Sequence, residues 1–129
     1  AGLADNPLDE LGILQSELFR AVRLVVDTGM HYKRWTREEA MEYMKAKTGM
    51  SDTEVRVEIE RYIVWPAQAL SYKVGMIKIL ELRKRAQDAL GEKFNIKDFH
   101  SALLDHGSPP LFIVEEKVND MINNAKSLN

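Results

Sequence analysis

The 129 residues carry 18 Lys and Arg against 20 Asp and Glu, a formal net charge of −2, and 45% of them are apolar. That apolar share is enough to offset the entropy of ordering one domain, so disorder is a poor reading, and the slightly acidic balance argues against nucleic acid, whose binding rests on neutralised phosphates. No cysteine is present, which removes disulfides, thiolate nucleophiles and Cys-based zinc sites.

At the start of the chain, Ala1 to Pro7 has neither a basic start nor an apolar core, so it does not read as a signal peptide. It also lacks an initiator Met; the expectation is a processed or cut piece, with any export signal upstream. Asn6 is placed to cap a first helix, with Pro7 at its first position and Asp9 and Glu10 in the first turn, where acids suit the helix dipole. Leu11, Leu14, Leu18, Val22, Val25 and Val26 follow helical spacing, and Gly29 reads as the stop. Thr36 with Glu39, and Ser51 with Glu54, are capping-box patterns that open a second and a third helix.

Pro66 breaks the third helix and suits the first turn of a fourth, which runs to Leu90 with Gly91 as its cap. A short fifth helix spans Ile96 to Asp105, and Ser108 with Pro109 starts a sixth along Leu111, Val114, Val118 and Ile122. No stretch alternates with period two between hairpin turns. No run is long and apolar enough to cross a bilayer. The expectation is an all-α bundle of about six helices, one domain or fragment over residues 1–129, with loops too short to mark an internal boundary.

Several kinds of chemistry have no motif here. His31, His100 and His106 belong to no HExxH helix, there is no phosphate-binding glycine loop, and there is no nucleophile elbow. A metal site made from this chain alone is not expected. The basic run Arg83-Lys84-Arg85 sits four residues after Glu81 and reads as a solvated helix face.

The segment from Glu60 to Met76 stands out. Gln68 and Tyr72 are four apart and share one helix face, beside a stripe of Ala67, Ser71 and Gly75. A buried Tyr and Gln need partners, which they find in each other, in neighbouring helices, or in a ligand. Arg61 reads as an ion-pair member, and Tyr62 and Trp65 as core aromatics. His31, after the long first helix, faces either the helix's negative end or a cleft.

Three ordered blocks carry a resemblance. They are Arg23 to His31 with Trp35 and Thr36; Glu60-Arg61-Tyr62 with Pro66 to Gly75; and Leu90 to Phe94 with Phe99-His100, Leu104-Asp105 and Gly107. Together they resemble the C-terminal region of the bacterial domain-of-unknown-function 885 family, over about Leu11 to Val118. The resemblance implies a larger, mostly helical, zincin-like parent. Its HExxPGHH-type zinc motif and a further acidic ligand lie upstream of the matched region, and members are often periplasmic or lipid-anchored.

The implied activity is zinc-dependent peptide hydrolysis, with zinc in the full-length parent and no cofactor in this chain. On that resemblance Tyr72 and then His31 are the candidates for transition-state stabilisation, and Arg61, Tyr62 and Gln68 for substrate binding. Ala67 departs from the family, where Gly is the more usual residue. The expected partners are the upstream part of the same polypeptide and a peptide substrate. An exposed apolar face is expected where the upstream part packs, and through it a symmetric homodimer. The chain alone is expected to be inactive. The rival reading is a free-standing helical module that docks a partner protein.

Overall fold

The computed structural model describes residues 6–127. The reading of Ala1 to Asp5 as lacking a signal lies outside them. Among the described residues there are six α-helices, one 3-10 turn and no strand: α1 Pro7–His31, α2 Arg37–Thr48, α3 Asp52–Val64, α4 Gln68–Leu90, the turn Gly91–Lys93, α5 Ile96–Leu104 and α6 Leu111–Ser127. The fold is all-α.

The helix starts follow from local chemistry. Asn6 accepts from the backbone N–H groups of Leu8 and Asp9, with Pro7 next in the helix. Thr36 with Glu39 and Ser51 with Glu54 form complete capping boxes, each worth on the order of 1 kcal/mol. Gly49 ends α2 in the left-handed region at φ 68, which only glycine adopts without strain.

Gly29 does not stop α1, which continues to His31. Gly29 is buried, and a Cβ there would lie 2.4 Å from Cε3 of Trp35. Its lack of a side chain therefore serves close packing of the indole rather than chain reversal. Pro66 does break the third helix, but α4 begins two residues later, at Gln68. Trp65, expected in the core, is 60% exposed. As the cap of α3 it sits at φ −126 and ψ 74, because the following proline crowds it out of the helical region.

The chain divides into two compact units, Ala1–Val74 and Gly75–Asn129. The division falls inside α4, so no loop marks it in the sequence. In the first unit α2 packs on α1 and α3, and α3 on α1. Val22, Val26, Ala40, Met44, Val55, Ile59, Tyr62 and Ala69 form its core. Each large side chain there contributes about 1.5–3 kcal/mol by burial. The second unit centres on Leu82, Ala86, Phe99, Val114, Val118 and Ile122, with α5 packed on α6. In contrast to the rest of α1, residues 6–18 are exposed throughout, including Leu8, Leu11, Leu14 and Leu18.

Candidate functional site

Three segments of the first unit supply the polar side chains of interest. α1 carries Arg23, Asp27 and His31 at four-residue intervals, which places them on one face. Near its end α3 carries Glu58, Arg61 and Tyr62, and α4 opens with Gln68 followed a turn later by Tyr72.

The elbow between α3 and α4 positions the last pair. Ala67 stands in the left-handed region at φ 67, which costs alanine about 1 kcal/mol relative to glycine. Its N–H donates to Oδ1 of Asp27 at 3.1 Å. Asp27 is 1% exposed, so a buried carboxylate from α1 fastens the elbow. Its other oxygen, Oδ2, has no partner.

His31 is anchored from two sides. Its Nε2 lies 2.9 Å from the Tyr62 carbonyl oxygen and 3.9 Å from Oδ1 of Asp27. A carbonyl only accepts, so Nε2 is the protonated nitrogen. In the neutral ring the lone pair therefore stands on Nδ1.

Tyr62 is buried, and its hydroxyl donates to Oε2 of Glu58. Arg61 donates to the same carboxylate oxygen through Nη2 at 2.5 Å and to Oε1 of Gln68 through Nη1 at 3.1 Å. Arg23 reaches that amide oxygen from α1, with Nη2 at 3.3 Å. Gln68 in turn donates from Nε2 to the Tyr72 hydroxyl at 3.2 Å. That phenol therefore acts as acceptor towards Gln68 and keeps its own O–H hydrogen for another partner. Its ring is 49% exposed.

His31, Arg61, Tyr62, Gln68 and Tyr72 thus lie in one hydrogen-bonded network. Four of them reach the surface, while Tyr62 holds the others from within. Arg23, Asp27 and Glu58 complete the network and were not singled out by residue type. The repeat Arg23, Asp27, His31 along one face of α1 was the available signal. His100 and His106 belong to the second unit, and both are exposed.

Burial works to raise the Glu58 pKa, but hydrogen bonds from Tyr62 and Arg61 outweigh it and hold the carboxyl below the ordinary 4.5. For Tyr62 burial comes first and the Glu58 carboxylate second, and both push the phenol up. A depressed carboxyl pKa means that the folded state holds the proton less tightly than the unfolded chain. Glu58 therefore contributes its full stability above 4.5 and loses it as pH falls below that value. Thermal melts from neutral pH down to about 3 should show the unaltered chain losing stability more steeply than Glu58→Gln. Parallel slopes would remove Glu58 from this account.

No group of three His, Cys, Asp or Glu that could hold a metal ion occurs among the described residues. Structural and catalytic zinc sites take at least three protein ligands. This network offers one imidazole beside Asp27, and its other carboxylate is engaged by Arg61 and Tyr62. The residues present do not fit a zinc site.

No curated protein matches the chain. A crystal structure of a protein from Colwellia psychrerythraea, provisionally described as a lipoprotein, is similar at 52% identity and a TM-score of 0.92. The match covers 95% of this chain and 21% of that one, so the chain spans about a fifth of the length of that relative. Residues 1–118, which include every member of the network, match the family described as bacterial protein of unknown function (DUF885). On that match, which covers nearly the whole chain, the protein belongs to the bacterial DUF885 family.

Proposed function

We propose that this chain is the C-terminal helical part of a bacterial zinc-dependent peptidase. It contributes substrate-cleft and transition-state-stabilising residues, supplies no zinc ligand, and has no activity by itself. The observation that carries the reading is the convergence of His31, Arg61, Gln68 and Tyr72 on one network with accessible ends. Such clustering of donors from three helices is what a cleft wall requires, because preorganised donors need no reorganisation during reaction. In this reading Tyr72 donates its phenolic hydrogen to the developing oxyanion; His31 is the second candidate and donates only from Nδ1, because its Nε2–H is held by the Tyr62 carbonyl. Arg61 and Gln68 hold the peptide, and Tyr62 keeps Arg61 and His31 in place.

The exposed leucines of α1 support a second element of the reading. Leu8, Leu11, Leu14 and Leu18 present an apolar stripe of the kind that another part of a longer polypeptide covers. No helix among the described residues is long and apolar enough to cross a membrane. Export with a lipid anchor, as the description of the Colwellia protein suggests for that relative, is part of the proposal for the parent.

The test compares this chain with the longer protein that contains it. With zinc present, the longer protein is expected to cleave members of a mixed peptide library, and cleavage should stop on chelation. The chain alone should show none. Zinc-dependent turnover by the chain alone, or a zinc-loaded longer protein without turnover, would overturn the reading. A free-standing interaction module would instead leave both inactive, with a partner protein on the leucine stripe.

A further inference from the structure

Arg23 is more than nine-tenths buried, yet it forms no ion pair among the described residues. Its guanidinium lies 5.5 Å from the centres of the Phe19 and Tyr62 rings and 4.8 Å from that of Tyr72. Those three faces attract a cation, by about 0.5–2 kcal/mol each, against the several kcal/mol that desolvating a charge costs. Its Nε is buried and has no hydrogen-bond partner.

The neighbouring cation is differently placed. Arg61 is neutralised by Glu58 at 2.5 Å. Both guanidinium groups nevertheless aim at one atom, Oε1 of Gln68, at 3.3 Å from Arg23 and 3.1 Å from Arg61. An amide oxygen accepts both bonds but neutralises neither charge. Asp27, a turn along α1, spends Oδ1 on the Ala67 N–H, and Glu58 acts on Arg23 only through space. A buried cation with no carboxylate in direct contact, two forks of donors that share one neutral acceptor, and a half-exposed Tyr72 beside them describe a receptor for a planar monoanion.

We propose that Arg23 and Arg61 form a carboxylate-binding subsite that takes the free C-terminal carboxylate of a peptide, with the Gln68 amide holding the two guanidinium groups apart until it arrives. The carboxylate oxygens replace Oε1 of Gln68 as acceptors, and the Gln68 amide nitrogen remains as a further donor. Tyr72 forms the rim. That the ligand is a peptide rests on the peptidase reading; the preference for a carboxylate rests on the single neutral acceptor that Arg23 and Arg61 share. A phosphate dianion would set a second negative charge beside Glu58, which already holds Arg61.

The chain, free of metal, is titrated by calorimetry with N-acetyl-dialanine, with its C-terminal amide, and with inorganic phosphate. The acid is expected to bind at least about tenfold more tightly than the amide, and more tightly than phosphate. Gln68→Glu places a carboxylate between the guanidinium groups, so it should abolish binding of the acid and raise Tm. Because Gln68 opens α4, an acid there also gains from the helix dipole. The gain in Tm should therefore shrink when Gln68→Glu is combined with Arg23→Gln.

Equal binding of acid and amide, no saturation by either, tighter binding of phosphate, or acid binding that survives Gln68→Glu would each overturn the subsite. The peptidase reading fails separately. Acid-selective binding with no zinc-dependent turnover in the longer protein sinks that reading alone. Turnover that treats acid and amide substrates alike sinks the subsite alone.

Discussion

Replacing Tyr72 by Phe in the longer protein is expected to lower kcat by about a hundredfold, on the order of 3 kcal/mol, while KM changes little. The substitution removes a single oxygen. The ring stays over the Arg23 guanidinium, 4.8 Å from its centre, so the packing that sets its position survives. What is lost is the O–H hydrogen that the bond from Gln68 leaves free. A donor that acts only on charge developing in the transition state shows itself in kcat, whereas one that binds the ground state equally well shows itself in KM. Steady-state kinetics on a peptide substrate, with an unchanged melting curve as the control for folding, decide the matter. An unaltered kcat would remove Tyr72 from the chemistry.

The second large effect concerns stability. Asp27→Ala is expected to cost the first unit about 3 kcal/mol, a fall in Tm of more than about ten degrees. The carboxylate is 1% exposed and accepts from the N–H of Ala67 at 3.1 Å. Truncation leaves that donor without its partner at the one elbow residue whose backbone is already in an unfavourable region. Asp27→Asn keeps the acceptor and should cost about 1 kcal/mol. The opposing term is the desolvation of Asp27 itself, made larger by the unpartnered Oδ2. Should that term dominate, Asp27→Ala would be neutral or stabilising, as happens when some buried charges are replaced by apolar groups. Chemical denaturation of the two variants separates these outcomes, and the sign of the alanine effect is the deciding number.

Much of the fold was legible because its signals are local. Asn6-Pro7, Thr36 with Glu39, and Ser51 with Glu54 satisfy backbone donors within a few residues of themselves, so the helix starts they announce depend little on the rest of the chain. The signals that misled depend on distant neighbours. Gly29 looks like a terminator in isolation, and only the indole of Trp35 against its bare Cα shows why glycine stands inside a helix that continues. Trp65 looks like core until the crowding by Pro66 turns it outward.

The site divides in the same way. Gln68 and Tyr72 were readable as a pair because one helix turn joins them. That Arg23 and Arg61 meet on one amide oxygen, across 45 and 7 residues of sequence from Gln68, depends on the packing of α1 against α3 and on the elbow that starts α4. No spacing rule encodes that meeting. The family resemblance carried His31, Arg61 and Gln68 forward as members of shared blocks, but it gave no hint that Arg23 has no carboxylate in direct contact.

The elbow residue has a consequence for how such a protein changes over generations. Glycine and alanine codons differ by one base, and at position 67, with φ 67, that base decides whether the chain relaxes into the bend or is forced through it by its hold on Asp27. The exchange adds no atom to any ligand and alters no charge. A lineage can therefore stiffen or slacken the arm that presents Gln68 and Tyr72 by mutating a residue that offers a substrate no polar side chain.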